Sequence, residues 1–124
     1  MTLSEIIAKA REYRPCSADR SEYIRWINVI EGRVQLEVMG MKSQDKLFRK
    51  YGESDGNTEL LIQSPYEDVY IYYISAMSDY YNGEYDKYES DSLMFADLFE
   101  KYCKHYAKNC TQKSNVKITG WYQC

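Results

Sequence analysis

The sequence predicts a mainly α fold: a small bundle of about four helices with a long loop and short β segment near residues 40–63 and a short C-terminal strand. Three observations predict it. Apolar and aromatic side chains recur at helical spacing in four stretches. Helix-start chemistry at Thr2, Ser17–Ser21 and Ser64–Pro65 precedes three of them. Asn82-Gly83 divides the two most regular stretches with a residue tolerant of left-handed backbone followed by one that prefers it. A chain of 124 residues supports one core, so residues 1–124 are read as a single domain.

Thr2 can cap a first helix in which Leu3, Ile6, Ile7 and Ala10 make a narrow apolar stripe, and Pro15 stops it near Tyr13. After Ser17–Ser21, Tyr23, Ile27, Ile30, Val34 and Val38 follow helical spacing, with Ile24, Trp26 and Val29 widening the buried side. This second helix is expected to run to about Met39, with Gly32 marking a close helix crossing and Gly40 its end.

Between Gly40 and Gln63 the helical period fails over a stretch much longer than the roughly two to eight residues of an ordinary helix connection. Its first part is basic (Lys42, Lys46, Arg49, Lys50) and its second acidic (Glu53, Asp55, Glu59), with Asp55-Gly56-Asn57 as a turn and Leu60-Leu61-Ile62 as a short strand. Phe48, Tyr51, Leu61 and Ile62 argue for a loop that docks onto another surface.

Ser64-Pro65-Tyr66-Glu67 has the composition of a complete helix start, with Ser64 as cap, Pro65 at the first helical position and Glu67 closing a capping box. Val69, Tyr72, Tyr73, Ala76 and Tyr80 then share one face, and Tyr66, Tyr70, Ile74 and Met77 broaden it, so this helix is central. The return helix carries Tyr85, Tyr88, Ser92, Phe95, Phe99, Tyr102 and Tyr106 on a heptad-like seam ending near Asn109. Acids crowd its first turns and Lys101, Lys104 and Lys108 its last, as the helix dipole favours. Beyond Asn109, Val116 and Ile118 alternate as in a strand, expected to pair with residues 60–62 or with a neighbouring chain.

A net charge of −3 has the wrong sign for a protein that grips nucleic acid through phosphates. Residues 64–108 hold nine acids against four bases, whereas residues 109–124 hold only Lys113 and Lys117. An acidic body and a basic tail suit head-to-tail contact between copies of one chain. Cys16, Cys103, Cys110 and Cys124 show no paired spacing and are expected as reduced thiols, and Cys103, His105 and Cys110 fall short of a four-ligand zinc pattern. His105, the lone histidine, is expected to stabilise a helix end. No nucleophile, acid–base pair or ligand set assembles, so neither enzymatic activity nor a cofactor is expected. The amino-terminal residues lack a secretory pattern and no run suits a bilayer, so cytoplasmic synthesis and no membrane partner are expected.

Leu60-Leu61-Ile62-Gln63-Ser64-Pro65-Tyr66-Glu67-Asp68-Val69-Tyr70, then Asp79-Tyr80-Tyr81-Asn82-Gly83-Glu84 and Met94-Phe95, resemble the small head–tail connector (adaptor) proteins of tailed bacteriophages and prophages. Arg25-Trp26-Ile27-Asn28-Val29-Ile30-Glu31-Gly32 is similar to that family's second helix, whereas Val116 to Cys124 departs from its pattern. The resemblance implies a structural virion protein of the neck between head and tail, made in the bacterial host cytoplasm. It implies a homo-oligomeric ring of about twelve copies beneath the portal protein, whose heterologous contacts close on themselves. Its other neighbours would be a tail-proximal neck or tail-terminator protein, and DNA would pass through the lumen without sequence-specific binding. Candidate assembly contacts are Lys46, Phe48, Arg49, Tyr51, Leu61 and Ile62 from the loop and Lys117, Trp121 and Tyr122 from the tail. The alternative is a small helical nucleic-acid-binding or regulatory protein using the basic Lys42–Lys50 segment.

Overall fold

The computed structural model describes the backbone of residues 1–114 and the side chains of residues 1–108. Four α-helices make up the described chain: α1 (Leu3–Tyr13), α2 (Arg20–Arg33), α3 (Asp68–Tyr81) and α4 (Tyr85–Ser114). Helix α1 begins as its sequence requires. The Thr2 hydroxyl accepts from the Glu5 N–H at 3.3 Å, and the Glu5 carboxylate accepts from the Thr2 N–H at 2.8 Å. Leu3, Ile6, Ile7 and Ala10 are its buried stripe.

Asp19 caps α2, accepting from the Glu22 N–H at 3.1 Å. The helix then widens into a π turn over Val34–Val38, and Gly40, at φ 70°, carries the chain out of it. The buried side is Tyr23, Ile24, Trp26, Ile27, Ile30, Val34 and Val38; Val29 is exposed, contrary to the expected wider face. Gly32 does not mark a helix crossing. A Cβ there would meet Phe48 of the loop at 3.9 Å, an ordinary contact.

Two further expectations fail for one reason. Leu60-Leu61-Ile62 is not a strand; the one β-type pairing among the described residues is an isolated antiparallel bridge between Thr2 and Glu59. The Leu60 N–H donates to the Met1 carbonyl at 3.1 Å, the Leu61 N–H to Glu31 at 3.0 Å and the Ile62 N–H to the Tyr70 hydroxyl at 2.7 Å. Side chains have taken the Leu61 and Ile62 donors that a partner strand would have used, and Leu60 alone keeps a backbone acceptor. Nor does α3 start at Pro65. The Ser64–Pro65 peptide is cis, the Tyr66 N–H closes a turn onto the Gln63 carbonyl at 2.9 Å, and Glu67 reaches the Met1 amino group at 2.9 Å. The helix begins three residues later, at Asp68.

Helices α3 and α4 run antiparallel about Asn82-Gly83. The Asn82 N–H closes onto the Ser78 carbonyl at 2.9 Å, and Gly83 adopts φ 76°. Gly83→Ala is expected to cost about 1 kcal/mol from backbone conformation alone. No atom lies within 4 Å of the added Cβ, so a loss well beyond that in urea unfolding would contradict the assignment.

The seam between α3 and α4 is aromatic. Tyr66 meets Tyr102 with ring centres 5.9 Å apart, and Tyr73 meets Phe95 at 5.2 Å. Phe99 and Tyr102 are buried there. Helix α4 continues past the expected end at Asn109 to Ser114. His105 therefore lies within the helix, tilted against Tyr66 with ring centres 4.8 Å apart, and not at its end. The expected strand at Val116 and Ile118 lies outside the described residues.

Candidate functional site

Helix α2 and the π turn that continues it place Asn28, Glu31 and Gln35 on one side by their spacing of three and four. Asn28 donates to the Tyr51 carbonyl at 2.9 Å and accepts from the Tyr51 N–H at 2.8 Å. Gln35 does the same for Arg49, donating at 3.0 Å and accepting at 2.6 Å. Two side-chain amides thus pair with alternate residues of the loop backbone, as a neighbouring strand would. Between them sits Glu31, fully buried, accepting from the Tyr51 hydroxyl at 2.8 Å, the Leu61 N–H at 3.0 Å and the Tyr70 hydroxyl. Burial pushes its carboxyl above the ordinary range, opposed by those donors and by Arg49. Burial, and then the nearby Glu31 charge, push both tyrosine hydroxyls up as well.

This docking redistributes the candidate contacts. Tyr51 and Ile62 are buried within the chain, where their apolar bodies complete the cluster formed by α1, α2 and α3, so in this fold they are core residues. Leu61 is half-buried, and Phe48 is half-buried against Gly32. Arg49 is exposed and donates to the Glu59 carbonyl at 3.2 Å, while Lys46 is exposed beside Leu47, which is 83% exposed. Lys117, Trp121 and Tyr122 lie outside the described residues.

A cluster of exposed apolar side chains lies elsewhere, at the α3–α4 hairpin. Tyr80, Tyr81, Tyr85, Leu93 and Met94 are all exposed, with Tyr85 at 61% and Leu93 at 67%. Tyr80 stands edge-on to both Tyr85 (5.6 Å) and Tyr88 (5.4 Å), and these rings wall an open groove of about 520 Å³ completed by Glu89, Ser92 and Leu93. A hollow of about 410 Å³ adjoins it, lined by Gly83, Glu84, Tyr85, Asp86 and Lys87. Spacing had placed Tyr80 and Tyr85 on core faces. Among the described residues both rings remain more than half exposed.

Beneath this end, Arg14 at the close of α1 lies 3.2 Å from Asp79 of α3 and 3.3 Å from Asp91 of α4, close enough for ion pairing though off hydrogen-bond geometry. Burial and the neighbouring Asp91 carboxyl push Asp79 up to about 7, with Arg14 opposing. A raised carboxyl beside a second one can serve acid–base chemistry when substrate reaches it. Here both are buried, and the triad clamps three elements under the hairpin.

Cys16 and Cys103 are free thiols, and burial raises the Cys103 thiol. Among the described residues no group of three or more His, Cys, Asp or Glu side chains is placed to hold a metal ion, and no helix is long and apolar enough to cross a membrane. No protein-family profile, curated protein or solved structure matches the chain.

Proposed function

We propose that this chain is a structural protein that works by assembling with copies of itself, as a head–tail connector of a tailed-phage neck. The observation that carries the assembly part is the tyrosine-rich surface at the α3–α4 hairpin. An apolar ledge of Tyr80, Tyr81, Tyr85, Leu93 and Met94, set on a clamped pair of helices, suits burial against another chain, where tyrosine and methionine are enriched. The connector part rests on the resemblance to that family, chiefly of residues 60–106 and also of residues 25–32.

In this reading the bundle holds shape, and the exposed Lys46–Leu47 tip and the hairpin surface face neighbouring molecules: other copies, the portal protein above, and a tail-proximal neck or tail-terminator protein below. A weakly acidic protein lining a DNA passage repels phosphate and leaves DNA free to slide.

Light scattering and negative-stain imaging of the purified chain, alone and mixed with a portal protein from the same genetic neighbourhood, test the proposal. Rings, free or seated on the portal, are the expected result. A chain that stays monomeric and ignores the portal would overturn it. Duplex affinity falling steeply with salt would then support the nucleic-acid reading through Lys42–Lys50.

A further inference from the structure

We infer that the hairpin groove walled by Tyr80, Tyr85, Tyr88 and Leu93 receives the Trp121–Tyr122 segment of a second copy of this chain. The inference rests on the self-assembly reading above and names the contact that makes it.

Three observations choose this occupant. The first is shape and polarity: the groove, about 520 Å³, is aromatic and open, roomy enough for an indole and a phenol. The second is charge. Glu89 lines the groove, while Glu84 and Asp86 line the adjoining hollow, where Lys87 offsets one of them through a 3.2 Å ion pair with Glu84. The segment that carries Trp121 and Tyr122 also carries Lys113 and Lys117 and no acid from residue 109 onward.

The third observation is reach, which decides between the chain's own tail and a neighbour's. Helix α4 runs to Ser114, so Tyr88 in the groove lies twenty-six residues back along it, about 39 Å at 1.5 Å per residue. Trp121 lies seven residues beyond Ser114, and a fully extended chain carries it at most about 25 Å. The shortfall to Tyr88 exceeds the length of a tryptophan side chain; the chain's own tail comes near only the Leu93 lip, twenty-one residues or about 32 Å from Ser114, and cannot fill the groove between Tyr80, Tyr85 and Tyr88. A tail that fills this groove therefore comes from another molecule, and each copy presents a groove at one end of α4 and a ligand beyond the other. Such a contact is heterologous and propagates around a ring.

The test uses the full chain carrying Trp121→Ala and Tyr122→Ala as receptor, so that its own segment does not compete. A fluorescein-labelled synthetic peptide of residues 113–124, with Cys124→Ser, is titrated by anisotropy. Saturable binding is expected. It should weaken about tenfold or more when Tyr85→Ser or Leu93→Ser is added to the receptor, as for a central apolar anchor. It should also weaken as salt rises from about 50 to about 500 mM, because the charges around the groove are exposed. Tyr85 and Leu93 project into solvent, so the helical circular dichroism of both variants should match the parent.

No saturable binding, or binding indifferent to both groove substitutions, would overturn the inference. Rings that form while the peptide ignores the groove would sink this contact and leave the connector reading standing. A peptide that binds the groove while the intact chain forms no ring, alone or with the portal, would do the reverse.

Discussion

Glu31→Ala is expected to remove about 3–5 kcal/mol of folding stability, a large part of what a domain of this size possesses. The carboxylate is fully buried and accepts from three groups that have no comparable alternative: the Tyr51 hydroxyl, the Leu61 N–H and the Tyr70 hydroxyl. Truncation strands those donors in the core at about 1–3 kcal/mol for each one left unpaired, partly recovered where water enters the space. It also leaves a void beneath Leu60 and Ile62, both buried. Glu31→Gln keeps the shape but turns an N–H toward one of the three donors, so a smaller loss of about 1–3 kcal/mol is expected. Urea unfolding measures both. Hydrogen exchange locates the effect, since the Leu61 and Ile62 amides should lose protection before those in the middle of α3. A Glu31→Ala protein within about 1 kcal/mol of the parent would show that the loop is held by its apolar contacts alone.

That hub also shows where sequence reading stops. Local chemistry was legible wherever the partner lay within a few residues. Thr2 before α1, Pro15 after it, and Asn82-Gly83 after α3 each state their role in a short window, and the structure places them accordingly. Ser64-Pro65-Tyr66-Glu67 was misleading because the same composition serves a helix start or a turn. The choice was made by Met1, Glu31 and Tyr70, which take up Glu67 and the backbone of residues 60–62 from distant points in the chain. Glu31, Gln35, Asp79 and Asp91 were invisible for a related reason. Apolar periodicity assigns charged positions to solvent, and a buried carboxylate differs from an exposed one only in what surrounds it after folding. The surface suffered the converse error. By spacing, Tyr80 and Tyr85 cannot be told from Tyr70 and Tyr102, yet the first two are exposed and the last two buried. Coverage depends on where α1 ends and α2 begins, which no property of α3 or α4 encodes. Phe48, Tyr51, Leu61 and Ile62 did signal that the 40–63 loop docks; the surface it docks on is the chain's own, made by α2, the start of α1 and Tyr70 of α3.

The stability of the parent chain is expected to fall as pH rises from about 4 to about 7, and Asp79→Asn should flatten that fall. Asp79 and Asp91 share one guanidinium, at 3.2 and 3.3 Å, and Asp79 has no exposed surface. Its environment includes Glu84 as well as Asp91, both favouring the neutral form, against Arg14 alone favouring the charged one. Burial is the largest cause of the rise to about 7. The unfolded chain releases this proton near pH 4, so between about 4 and about 7 the folded state holds one proton more than the unfolded state, and raising pH destabilises it. The full penalty, about 2–4 kcal/mol, is present above pH 7. Glu31 is also raised and acts in the same direction. Glu5, Asp19 and Glu22 are lowered by their capping and ion-pair partners, so what they contribute is lost only at more acid pH, below the window. Asp79→Asn removes the titrating group and leaves Arg14 to Asp91. The variant should therefore melt above the parent at pH 8, by a margin that shrinks to about a third as pH falls to 5. Parallel Tm curves for the two proteins across pH 5–8 would mean that Asp79 stays ionised throughout, with Arg14 outweighing both burial and Asp91. The clamp under the hairpin would then be an ordinary ion pair, indifferent to pH in this range.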